Sequence, residues 1–256
     1  MIHETAVISK GAQLADDVTI GPYSIIGPDV SIASGTIIES HVLITGRTNI
    51  GQDNHIYSFS SIGDHPQDMK YKGEDTELEI GDRNTIREYC TINKGSIQDT
   101  GVTRLGNDNW IMAYVHLAHD CQIGNNTIFA NNTTLAGHVE VGDYAIFGGF
   151  SGAHQYCKIG CHSFLGMYSG VSRDLPPYVI VTGQPAIPRG INLEGLKRRD
   201  FNPDQIRNIK TAYKYLYKSE LRLEEAQEKI SGLNEVSNEL QVMINFLKAS
   251  SRGIVR

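Results

Sequence analysis

The stretch Ile111–Ile123, IMAYVHLAHDCQI, puts two imidazoles and a carboxylate close together: His116, His119 and Asp120. An imidazole titrates near pH 6.5, so it can take a proton from a hydroxyl at neutral pH. An adjacent carboxylate can orient the ring and stabilise the imidazolium. A single exposed histidine is ordinarily a solvated surface residue, so the pattern around it has to supply the rest of the argument.

That pattern is a repeat of six. Ile2, Ile8, Leu14, Ile20, Ile26, Ile32, Ile38, Ile44, Ile50, Ile56 and Ile62 recur without a break. The series resumes at Ile80, Ile86 and Ile92, and again from Leu105 to Val171. A period of six fits neither an amphipathic helix nor a simple alternating strand. It fits a parallel β-helix of hexapeptides, in which three hexapeptides make one triangular coil of 18 residues. Residues i and i+18 then stack at the strand spacing of about 4.8 Å. Inward Ile and Leu form ladders along the axis, and glycine and asparagine are expected at the corners, where positive φ is useful.

The 18-residue offset turns isolated residues into a patch. Asp120 stacks below His138 and then Tyr156; His119 stacks below Gly137 and then Gln155, with His154 one position away. Glycine lets a backbone N–H approach a developing oxyanion closely. A base, its carboxylate and such an N–H suit acyl transfer to an alcohol. A second chemistry uses the same side chains: His116, His119, His138 and His154 could supply ligands to zinc, as in γ-type carbonic anhydrases, provided three imidazoles converge at a subunit interface.

Two polar excursions interrupt the repeat, at about 64–79 (DHPQDMKYKGEDTELE) and 94–104 (KGSIQDTGVTR). Loops inserted into a solenoid usually carry function. After Asp174-Leu175-Pro176-Pro177 the repeat fades, 178–190 read as extended and turn-rich, and three helical stretches follow, 204–220, 221–233 and 234–250, with Gly232 as a break. The expected division is residues 1–188 as the β-helix and 189–256 as a small helical domain. Flat exposed faces on such a prism favour self-association.

Composition excludes several classes. Residues 189–256 hold 13 Lys/Arg against 9 Asp/Glu, net +4; residues 1–188 hold 10 against 20, net −10. An acidic body argues against general nucleic-acid binding, while the basic tail suits an acidic protein partner. No apolar run nears the roughly 20 residues of a membrane span, so no stable membrane insertion is expected. The opening MIHETAVISK lacks the features of a secretory signal, which points to a cytoplasmic protein. Cys90, Cys121, Cys157 and Cys161 show no CxxC spacing, so neither a zinc ribbon nor a thioredoxin-type site is indicated.

The motifs HLAHDC (116–121), NNTTLAGHVEVGD (131–143), GAHQYCKIG (152–160), QDMKYKGE (67–74) and NLEGLKRR (192–199) closely resemble the UDP-N-acetylglucosamine O-acyltransferase family, over essentially the whole chain. The resemblance implies a mainly β fold, a left-handed parallel β-helix with a small C-terminal α-helical domain, assembled as a homotrimer with sites between subunits. It implies transfer of an (R)-3-hydroxyacyl group from acyl carrier protein to the 3-hydroxyl of UDP-N-acetylglucosamine, the first step of lipid A synthesis, with no metal or separate cofactor. By motif, His119 is the general base, Asp120 its partner and Gly137 the oxyanion donor. Gln67, Asp68, Lys70, His116, His138, His154, Gln155, Asn192, Glu194, Arg198 and Arg199 match residues that line the substrate site. Met167 stacks over Gly149, at the position that limits acyl length in the family, and implies a chain of about ten to twelve carbons. The N-acyltransferase of the same pathway carries an extra N-terminal domain, whereas here the repeat begins at Ile2. A solenoid of this kind could also serve as a non-catalytic scaffold or as a zinc hydratase.

Overall fold

Each hexapeptide has one aliphatic side chain with nowhere to go but inward, and 18-residue stacking lets every such side chain sit on its own kind. In the computed structural model, which describes residues 1–233 and 237–256, this produces a three-sided prism. Strands, most of only two residues, form three sheets of nine, eight and ten strands, each strand pairing in parallel with the strand one coil away except for Ile187–Ile191, which folds back antiparallel at the end of the third sheet. Ile26, Ile44, Ile62, Ile92, Leu117 and Leu135 make one fully buried inner ladder, and Phe129 and Phe147 stack at 4.6 Å in another. Cys90, Cys121 and Cys157 are buried small fillers beside these ladders, and desolvation pushes the Cys121 thiol up to about 12.

Three faces are named by the strands they carry. The first holds Val7–Ile8, Ile25–Ile26, His116–Leu117, Thr134–Leu135, Gly152–Ala153 and Gly170–Val171. The second holds Arg47–Ile50, Glu77–Ile80, Val102–Leu105, Gln122–Ile123, Glu140–Val141 and Lys158–Ile159. The third holds Ile37–Ile38, Trp110–Ile111, Ile128–Phe129, Ile146–Phe147, Phe164–Leu165 and Val179–Thr182.

The corner chemistry differs from the expectation. The left-handed positions belong mainly to aromatic residues, histidines and aspartates: Tyr23, His41, Phe59, Tyr89 and Tyr114 on one corner, and Asp120, His138 and Tyr156 on another. Stacking each such ring on the ring one coil away, at 4.9–5.1 Å along the first series, offsets the cost of positive φ. The glycines that follow the inward aliphatics serve close approach instead. A Cβ on Gly142 would lie 2.7 Å from the Cys161 amide nitrogen of the next coil.

Both excursions leave the prism and return in register. The offset between stacked residues is 18 from Leu43 to Ser61, 30 from Ser61 to Thr91, 25 from Thr91 to His116, and 18 again from His116 to Thr134. The excursions end earlier than expected, because strands resume at Glu77 and Val102 rather than after 79 and 104. A buried amide ladder carries the register across both insertions: the Asn54 side-chain oxygen accepts from Asn84, that of Asn84 from Asn109, and that of Asn109 from Thr127.

At the C-terminal end a hairpin of Val179–Thr182 and Ile187–Ile191 closes the third sheet, and the second strand spans the expected boundary at 188/189. The helices are α1 (Leu193–Arg198), α2 (Pro203–Tyr217), α3 (Leu223–Ser231) and α4 (Asn238–Ala249). Of the stretch expected to be helical from Asn234, residues 234–236 lie outside the described residues. Helix α1 was not foreseen; Asn192 caps it by accepting from the Gly195 amide.

Candidate active site

The corner between the first and second faces carries the histidine patch, and the stacking is as the 18-residue offset requires. The His138 amide donates to the His119 carbonyl at 3.0 Å and the Tyr156 amide to the Gly137 carbonyl at 3.1 Å. His119 Nδ1 lies 2.8 Å from Asp120 Oδ2, with the carboxylate fully buried and the ring 12% exposed. A carboxylate only accepts, so His119 donates from Nδ1 and its Nε2 carries the lone pair. That Nε2 faces Gly137: a Cβ there would lie 2.7 Å from it and 2.6 Å from Cε1. Only glycine leaves room for the ring. The Gly137 amide N–H has no acceptor among the described residues.

Two residues missed by sequence reasoning hold the patch, Ser96 on Asp120 and Asp99 on His138. The Ser96 hydroxyl donates to Asp120 Oδ2 at 2.6 Å and the Ser96 amide reaches both carboxylate oxygens. Burial works to raise the Asp120 carboxyl, but the bonds from His119 and Ser96 outweigh it and hold it below the usual range. Asp99 Oδ2 lies 2.9 Å from His138 Nδ1. Both come from the second excursion, which the sequence marks as functional without showing which side chain folds inward. His138 in turn stacks on Tyr156 at 4.3 Å and stands edge-on to His119 at 4.9 Å.

The other expected residues lie in separate places on the prism. His116, on the first face, bonds Thr91 Oγ1 through Nδ1 at 2.7 Å, and desolvation, then the neighbouring His119, lowers its pKa. Asp68 receives a bond from Gln98 and has its carboxyl lowered first by the Lys70 amide; Gln67 and Lys70 are exposed on the same loop. His154 and Gln155 are exposed, and His154 lines a groove of about 700 Å³ across the first face. Thr134, Gly152 and Gly170 line it, because small side chains there follow the bulky ones below.

Asn192, Glu194, Arg198 and Arg199 are not with the histidines. They lie at the corner between the second and third faces. Arg199 covers the Tyr144 ring at 4.5 Å and Asn192 donates to the His162 carbonyl at 3.0 Å. Tyr144 and His162 follow His138 and Tyr156 in the same two coils, so the two groups share one level on different corners. Both ends of the Asn192 amide are engaged, by helix α1 and by His162. Met167 stands at the third corner, between the third and first faces, 59% exposed.

His119, Asp120 and His138 have ligand-type atoms within 4.8 Å of one another, which is compact enough for a metal. The Asp120 oxygens are already engaged by Ser96 and His119, so coordination there would have to break that network.

The chain's similarities agree with this geometry. Residues 174–255 match the model for the second domain of UDP-N-acetylglucosamine O-acyltransferases, and residues 11–46 and 103–137 match the bacterial transferase hexapeptide model. The chain is 53% identical over 255 residues to the acyl-[acyl-carrier-protein]–UDP-N-acetylglucosamine O-acyltransferase of Saccharophagus degradans, and 55% identical over 255 residues to that of Thiobacillus denitrificans, covering 100% of this chain and 99% of each relative. It superposes on the UDP-N-acetylglucosamine acyltransferase of Francisella novicida with a TM-score of 0.98 at 43% identity, covering 100% of this chain and 94% of that one. The enzyme of Moraxella catarrhalis gives 0.97 at 44%, with 100% and 99% covered. With relatives above half identity along its whole length, the chain belongs to the UDP-N-acetylglucosamine O-acyltransferase family.

Proposed function

We propose that the chain transfers a 3-hydroxyacyl group from acyl carrier protein to the 3-hydroxyl of UDP-N-acetylglucosamine, the opening step of lipid A synthesis. The observation that carries the mechanism is the His119 Nε2 lone pair set against Gly137, with Asp120 locked behind it. His119 takes the hydroxyl proton as the sugar oxygen attacks the thioester carbonyl. The Gly137 N–H donates to the oxyanion that forms, and His119 returns the proton to the departing thiolate. No metal or separate cofactor takes part; stoichiometric zinc in the active protein would contradict this. The acyl chain lies in the groove of the first face, running from the His154 edge toward the Met167 corner. The exposed basic residues of the helical region attract the acidic carrier protein.

On this reading one copy holds only half a site, and the exposed surface supports a way for the other half to arrive. The outward residues of the second face pair their own charges: Arg47 with Glu77, Arg104 with Glu79, Lys158 with Glu140. The first and third faces expose Val7, Ile25, Ile37 and Trp110, and the corner they share exposes Tyr23, Phe59, Tyr89 and Tyr114. Apolar surface on two adjoining faces and their common edge suits a closed ring of copies, first face on third face, with the aromatic corner near the axis. In a trimer of this kind the histidine corner of one copy meets the Arg199 corner of the next at the same level.

Mass spectrometry of products from UDP-N-acetylglucosamine and a panel of 3-hydroxyacyl carrier proteins tests the function. The expected product is O-acylated at the 3-position, preferentially with a chain of about ten to twelve carbons, and His119→Ala lowers the rate by about 10²–10⁴. Undiminished transfer by His119→Ala would remove the general-base assignment.

A further inference from the structure

The cleft holds a second histidine–carboxylate pair. His138 has a side chain only 4% exposed, and its Nδ1 lies 2.9 Å from Asp99 Oδ2. The groups facing this ring are Asp99, Asp120 at 3.8 Å, His119 edge-on and Tyr156 stacked one coil above. Asp120 is too far for a hydrogen bond to His138 and is already committed to His119 and Ser96. Asp99 is therefore the carboxylate that sets the proton on His138. It arrives on a loop tied down at three points in the residues just before it: Lys94 over the Tyr71 ring at 5.5 Å, Ser96 to Asp120, and Gln98 to Asp68.

We propose that Asp99 is a positioning residue that holds His138 as the Nδ1–H tautomer, so that Nε2 is presented as an acceptor to an N–H or O–H of the nucleotide sugar. An ionised carboxylate cannot donate, so a hydrogen bond at this distance places the proton on Nδ1 and the lone pair on Nε2. Stacking on Tyr156, with an interplanar angle of 6°, fixes the plane of the ring; Asp99 fixes its proton. The two pairs then divide the work. His119 accepts the proton that moves, and His138 accepts a hydrogen bond that does not. The part concerning the sugar rests on the acyltransferase reading; the part concerning the tautomer rests on geometry alone.

Two measurements on the full-length protein separate these parts. Protein labelled with ¹⁵N-histidine, assigned by comparison with a His138→Gln sample, reports the His138 tautomer directly. The expected signature is Nδ1–H in the parent and in Asp99→Asn, which keeps an acceptor oxygen, and a mixture of tautomers in Asp99→Ala. In steady-state kinetics, Asp99→Ala should raise KM for UDP-N-acetylglucosamine by about tenfold while kcat changes far less, and Asp99→Asn should restore most of the loss. Unchanged His138 resonances in Asp99→Ala would overturn the proposal, as would an unchanged KM in a variant that still transfers the acyl group. If the parent protein makes no O-acylated sugar, the acyltransferase reading fails, while the His138 resonances still decide whether Asp99 sets the tautomer.

Discussion

At the scale of single residues, the site depends on a few contacts that leave little slack. Gly137 is the sharpest case, because its backbone does not need glycine: its φ is not in the left-handed region. The requirement comes from the His119 ring, which would meet a Cβ at 2.6 Å while Asp120 holds it from behind. Gly137→Ala should therefore fold normally, with a melting temperature near that of the parent, yet lose about 10²-fold or more in kcat. Thermal melting and a rate assay on one sample check both halves. Met167 tests shape rather than chemistry. Each methylene buried in the groove is worth about 0.8 kcal/mol, so Met167→Gly should move the preferred donor toward fourteen carbons. Unchanged selectivity between donors of twelve and fourteen carbons would remove Met167 as the limit on acyl length. The juxtaposition of His119, Asp120 and Gly137 was legible in the sequence because the 18-residue offset is rigid arithmetic. Ser96 and Asp99 were not, because they lie on an excursion whose path no periodicity fixes.

At the scale of elements, the prism was legible and its corners were only half so. Inward aliphatic spacing gives the strands and their register, but a corner needing positive φ can be met by glycine or by stacked rings, and ring stacking depends on a neighbour one coil away. His162 shows what that stacking does to charge. It sits between Tyr144 at 4.8 Å and Tyr178 at 5.8 Å, and burial, then the nearby Arg199, pushes its pKa down to about 4. The folded state binds fewer protons here than the unfolded state, whose imidazole titrates near 6.5. Stability present above about pH 6.5 is therefore lost as pH falls toward 4, by roughly 2–3 kcal/mol from this group. Urea unfolding across that window should show the decline, and His162→Phe, which keeps the stack without the titration, should flatten it. An identical slope in the variant would assign the decline to other groups. Helix α1 was missed because six residues are too few for helical periodicity; its capping by Asn192 is the signal that could have found it.

At the scale of the whole molecule, the functional residues lie on two corners of one prism, separated by the charged second face. On the proposed reading Arg199 and His119 serve one cleft, and their places on different corners of one chain then call for a neighbouring copy. The closed threefold packing proposed above, first face on third, would supply it and would cover the exposed aromatic corner at the same time. In the sequence, flat faces suggest association and the family resemblance implies a trimer with sites between subunits; which corners would meet is argued from the placement of His119 and Arg199. The decisive measurement mixes two inactive chains. His119→Ala and Arg199→Ala proteins, each alone, should transfer little acyl group. Co-refolded or co-expressed in equal amounts, they should recover about one quarter of the parent rate, because in a random trimer that fraction of clefts pairs an intact His119 corner with an intact Arg199 corner. Recovery near that level is the predicted result. Activity no greater than that of the separate variants, in particles confirmed to contain both chains, would contradict a site shared between copies.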